Sequence, residues 1–116
     1  MQKEMMSLLS ECQTRFHLQL LFPDEPFTFQ LKLAQKGYTI SLSKEECKLV
    51  DLPEEDVDFV ISGEEHALLK LFYGEERLTN LVNDHEVTVM GAYRHLLFTE
   101  SVLWLCRNME AESMIV

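Results

Sequence analysis

The stretch Val57 to Gly74, VDFVISGEEHALLKLFYG, constrains this chain most, because its hydrophobic period changes halfway along. Val57, Phe59 and Ile61 recur at period two with Asp58 between them, which predicts a strand with one buried face. Ala67, Leu68, Leu71 and Phe72 recur at three- and four-residue spacing, which predicts a short amphipathic helix docking one apolar stripe. Ser62 and Glu65 have the spacing of a capping box at the helix start, and Gly74 falls where a left-handed C-terminal cap is wanted. A strand that feeds straight into such a helix must lay the helix over its own apolar face, since neither stripe can stay in water. The chain is thereby committed to helix on sheet. The functional question is whether the space between them is solid or holds something apolar.

The remaining segments supply the rest of both layers. Met5, Leu8, Leu9, Cys12, Phe16 and Leu20 predict one helix over residues 3–21, stopped by Pro23 and Pro26. Phe27, Phe29, Leu31 and Leu33 alternate with polar residues, as do Tyr38, Ile40 and Leu42, and Gln35-Lys36-Gly37 joins them as a hairpin with one wet face. Residues 44–52 read two ways: Ser43 and Glu46 resemble a capping box, while Cys47 to Val50 resembles a strand, the preferred reading. Leu78, Leu81 and Val82 predict a second short helix, and Val87 and Val89 a last strand closed by Gly91. The covered sheet face is expected to carry Phe27, Phe29, Leu31, Tyr38, Ile40, Leu42, Phe59, Ile61, Val87 and Val89, leaving Thr39, Ser41 and Thr88 in water. From Leu96 to Cys106 the only charge is Glu100, so this helix needs apolar partners on more than one side. A packed core, a homodimer seam along the C-terminal helix, and a wall shared with an apolar ligand all satisfy that need. Met109 to Val116 reads as a frayed tail.

Charge and cysteine content exclude other classes. A net charge of -10 on 116 residues, a length that fits one domain, leaves no basic stripe, which disfavours nucleic acid and attraction to anionic lipid. Nine of the acids lie between Glu45 and Glu65, a solvated face or a docking surface for a basic partner. Cys12, Cys47 and Cys106 are odd in number and widely spaced, which fits buried free thiols in a reducing compartment. There is no secretory leader pattern and no stretch of membrane-spanning length, so the cytoplasm is the expected location. His17, His66, His85 and His95 lack metal-ligand or catalytic spacing and read as isolated surface residues. No nucleophile elbow or phosphate-cradling glycine loop is present. No catalytic residue, metal or cofactor is therefore expected, and the chain is not expected to be an enzyme.

The order of elements, with Asp58-Phe59-Val60-Ile61-Ser62-Gly63-Glu64 entering a helix and Glu86-Val87-Thr88-Val89-Met90-Gly91 as the last strand, resembles the sterol carrier protein 2 family over residues 27–107. The chain departs from that family's pattern in having His85 where a glycine usually opens the last strand, and Ala92 where a polar or acidic residue usually follows the closing glycine. The resemblance implies an α+β fold: a five-stranded mixed, largely antiparallel sheet with helices covering one face. It also implies an apolar tunnel between the layers that holds a fatty acid, fatty acyl-CoA or sterol-like molecule. On the inward faces of the strands and helices, Ile61, Leu68, Phe72, Val89, Leu97 and Leu103 are the expected lining. The alternative is a solidly packed interaction or dimerisation module.

Overall fold

The computed structural model of the protein describes residues 1–107, so Met109 to Val116 lies outside the described residues. The sheet is built from β1 (Phe27–Lys32), β2 (Gly37–Leu42), β3 (Cys47–Val50), β4 (Phe59–Gly63) and β5 (Val87–Met90), in the order β3-β2-β1-β4-β5. β1 and β4 run parallel and the other neighbours antiparallel. The hairpin closes where the Leu33 N–H donates to the Lys36 carbonyl at 2.8 Å. Asp58 fixes the parallel register: its Oδ2 accepts from the N–H and hydroxyl of Thr28 at 2.9 and 3.2 Å, and its own N–H donates to the Thr28 carbonyl and hydroxyl oxygens. An acidic residue on the far face of the strand thus joins β1 to β4.

The covered face is the predicted one, with Phe27, Phe29, Leu31, Ile40, Leu42, Phe59, Ile61 and Val87 buried and Tyr38 and Val89 half-buried against them. The opposite face departs from expectation. Thr88 is exposed, but Thr39 and Ser41 are buried, as is Val60. β3 leads to β4 across β2 and β1, and the connecting 3-10 turn (Glu54–Asp56) is tied to that outer face by Lys32 Nζ to Glu54 Oε2 at 3.1 Å. Within the sheet, the Gln30 side-chain amide on β1 donates to the Thr39 hydroxyl at 3.1 Å.

Helices cover the other face. The first helix is not continuous: α1 (Gln2–Thr14) ends at Arg15, whose φ of -89° and ψ of 101° are extended, and α2 (Phe16–Gln19) starts in a new direction. The break leaves Leu20 exposed and buries Leu18 and Phe22 in its place. Arg15 is held there by donating through Nη1 to the Leu105 carbonyl at 2.6 Å. The helix after β4 also starts later than predicted. Ser62 and Gly63 remain in the ladder opposite Thr88 and Val87, so α3 (Glu65–Phe72) begins after Glu64 with no side-chain cap. A Cβ on Gly63 would come within 2.9 Å of Val87 Cγ1, so glycine is what lets the strand continue at this point. Gly74, at φ 70°, ends α3 in the left-handed region as anticipated.

α4 (Leu78–Asn83) and α5 (Tyr93–Leu105) complete the layer. The one acidic residue of α5 has a structural task. Glu100 Oε2 accepts from the Thr79 N–H at 2.8 Å and from its hydroxyl at 2.6 Å, satisfying a donor at the start of α4. His85 adopts φ 61°, the backbone conformation that the family's glycine would take without strain.

Candidate functional site at the junction of α5 and the sheet

The six expected lining residues are not equivalent in the folded chain. Ile61, Leu68, Phe72 and Leu103 are buried in the core cluster, and Val89 is half-buried against it. Leu97 does not join them: at 40% exposure it lies off the stripe of Leu96, Thr99, Val102 and Leu103 that α5 turns inward. Leu97 is one residue, or about 100°, round the helix from Leu96, which is why an all-round apolar sequence did not reveal its side. The concavities considered below are lined by other residues.

Three of these lie where volume and lining can be compared. One of about 710 Å3 sits beside the β1–β2 turn and is bounded by Met1, Leu33 and Tyr38 together with Lys36, Glu64 and Glu65. A second of about 680 Å3 has Glu64, His66, His85 and Glu86 in its wall. The third, about 480 Å3, is smaller but differs in kind. It is an open groove between the 21–26 turn, the start of β1 and the first turns of α5, walled by Leu21, Pro23, Pro26, Phe27 and Phe98. Charged groups stand at Glu25, Asp58 and Arg94, and His95 is part of the lining. Volume alone favours the first; apolar and aromatic walls with a few convergent polar groups favour the third.

Aromatic rings build this groove. Phe98 meets Phe27 edge-on at 5.2 Å between centroids and Phe22 at 6.4 Å, and the His95 ring lies 5.0 Å from Phe27. Large apolar side chains stand in water on the segments that flank it: Leu20 and Leu21 after α2, and Tyr93 and Leu97 on α5. His95 is half-buried, not a surface residue, and its Nδ1 has no hydrogen-bond partner among the described residues. The same is true of Thr99 Oγ1 one turn further along α5. Residue spacing pointed to neither, since an isolated His and Thr in an apolar run carry no motif.

The other chemistry-bearing side chains are engaged structurally. All three cysteines are buried. Cys12 Sγ and Cys106 Sγ lie 3.9 Å apart, joining α1 to the end of α5, and this contact together with burial raises Cys12 above the ordinary thiol range. Burial likewise raises Cys47. Cys12 and Cys47 are therefore held as thiols, not as nucleophilic thiolates. His66 Nδ1 lies 3.3 Å from Glu64 at the surface, and the described residues contain no cluster of three or more His, Cys, Asp or Glu side chains able to hold a metal ion. No described helix is long and apolar enough to cross a membrane.

A five-stranded mixed sheet with helices on one face and an apolar groove at the helix–sheet junction defines a small α+β domain of the sterol-carrier type. The SCP-2 sterol transfer family matches residues 23–97, and the chain belongs to that family. Comparison with curated proteins gave no match. Among solved structures it is similar to a UbiJ-SCP2 ubiquinone synthesis protein, with TM-score 0.67, 14% identity, and coverage of 86% of this chain and 89% of that one. It is also similar to sterol carrier protein 2 from Yarrowia lipolytica in its apo form, with TM-score 0.59, 13% identity, and coverage of 88% of both chains. A third similar structure is palmitated SCP2L2 from Aedes aegypti, with TM-score 0.56, 10% identity, and coverage of 84% and 91%. At these identities the likeness shows the fold.

Proposed function

We propose that the chain is a carrier of apolar molecules that holds a fatty acyl, fatty acyl-CoA or sterol-like ligand between sheet and helices and performs no chemistry on it. The observation that carries this reading is an aromatic-walled groove at the edge of the helix–sheet interface, flanked by exposed Leu20, Leu21, Tyr93 and Leu97, in a chain of the SCP-2 sterol transfer family. Exposed apolar side chains beside an apolar groove are costly in a monomer and make sense where a ligand enters. The palmitate on the Aedes aegypti relative supports a single acyl chain as one form of cargo. On this reading the chain works as one such domain in the cytoplasm.

The test is extraction of the purified protein with organic solvent followed by mass spectrometry, paired with a fluorescent acyl probe titrated at micromolar concentration. The expected result is an apolar species in near-stoichiometric amount and saturable probe binding that the extracted molecule displaces. An empty extract together with no probe binding would replace the carrier with a solidly packed interaction module.

A further inference from the structure

Two polar atoms on α5 are buried without a hydrogen-bond partner among the described residues: His95 Nδ1 and Thr99 Oγ1. Four residues apart on a helix, they lie on one face, one above the other. Helical Ser and Thr hydroxyls often bond the carbonyl four residues back, and this chain does so at Thr14, to Ser10 at 2.7 Å, and at Ser101, to Leu97 at 2.9 Å. Thr99 does not, although it is wholly buried. Its inward-facing neighbours on α5 are Leu96, Val102 and Leu103, and the His95 ring faces Phe27. An unmade hydrogen bond in such surroundings is costly, so a pair of them on one face calls for a partner that the described residues do not supply.

The groove reaches His95, since His95, Phe27 and Phe98 belong to its wall, and wholly buried Thr99 lies one helical turn further along α5, outside that wall. We propose that the cargo enters head first at this point and that its head is a neutral hydroxyl, held between His95 Nδ1 and Thr99 Oγ1, with the apolar body lying along Leu21, Pro23, Pro26 and Phe98. The assignment rests on the carrier reading and names the head chemistry of the same ligand. Because Thr99 stands outside the groove wall, admitting the head to it requires half-buried Phe98 to move aside. A hydroxyl both donates and accepts, so it pairs with the threonine and with either tautomer of the imidazole. A carboxylate only accepts, and it would carry a full charge into a site without a buried cation. The charges at the mouth disfavour an anion too, because Glu25 and Asp58 outnumber Arg94.

The experiment titrates 1-dodecanol and, separately, dodecanoate into the full chain near neutral pH by calorimetry, for wild type, Thr99→Val and Thr99→Ser. Wild type is expected to bind the alcohol about tenfold more tightly than the carboxylate, the effect of one or two hydrogen bonds. Thr99→Val should lose about that factor for the alcohol only, and Thr99→Ser should retain it. Urea unfolding gives the second readout, with Thr99→Val at least as stable as wild type, because a methyl replaces an unpaired hydroxyl of the same shape. Thr99→Val that binds both probes as wild type does, with the hydroxyl served by water alone, overturns the head-group assignment and leaves the carrier intact. Wild type that binds neither probe overturns the carrier reading, and the assignment with it.

Discussion

The two ends of the helix–sheet interface are both apolar yet finished differently. Under α3 and α4 the core is aliphatic and closed, with Ile61, Leu68, Leu78 and Leu81 wholly buried. The polar groups round that end are paired: the Tyr73 hydroxyl donates to Glu4 Oε2 at 2.7 Å, Lys70 Nζ reaches Glu86 at 3.1 Å, and Glu100 accepts from Thr79. Where the first turns of α5 meet β1, the walls are aromatic, Leu21 and Tyr93 stand in water, and His95 and Thr99 each leave a polar atom unpaired. A core satisfied at one end and unfinished at the other fits the carrier reading proposed above. On that reading the closed end gives the domain its stability and the open end takes the ligand.

The strongest way to break this contrast is truncation at each end. Leu68→Ala, at the closed end, is expected to cost about 3 kcal/mol or more, since a fully buried leucine leaves a cavity its neighbours cannot fill. Phe98→Ala removes a larger side chain, but one that is half-buried beside a groove, and is expected to cost about 1 to 2 kcal/mol. Urea denaturation of both variants checks the order, and a costlier Phe98→Ala would place the structural core at the α5 end. A smaller effect sharpens the picture of the closed side. His85 holds φ 61°, which costs a non-glycine residue about 1 to 2 kcal/mol. Part of that gain is offset by glycine's freedom in the unfolded chain, so His85→Gly should stabilise by about 0.5 to 1 kcal/mol. A rise in melting temperature confirms it; a fall would mean that the imidazole makes contacts outweighing the backbone strain.

Much of this was legible in the residues. Period-two alternation identified the covered face of every strand it was applied to, and the strand-to-helix passage at 57–74 located the centre of both layers, because burial on one face imposes a pattern that few other folds share. Other features were not legible. The outer face of the hairpin buries Thr39 and Ser41, and no local pattern announces burial that depends on long-range packing. The Ser62–Glu65 spacing mimicked a cap, but pairing with β5 extended the strand, and ladder hydrogen bonds outweighed a cap. In α5 the apolar residues run nearly all the way round, so periodicity could not tell Leu97 from Leu96. Only the fold separated the inward stripe from the exposed side, and with it the buried residues from one that stands in solvent.

The most direct test of an open end and a closed end is a titration of the full chain with 1-dodecanol, followed by side-chain nuclear magnetic resonance. The expected result is that saturable shift changes concentrate on the Thr99 methyl and on the rings of Phe27 and Phe98, while the methyl groups of Leu68, Leu78 and Leu81 stay where they are. Changes centred on those three leucines, with Thr99 and Phe27 unmoved, would contradict the account and move the ligand to the end described here as closed.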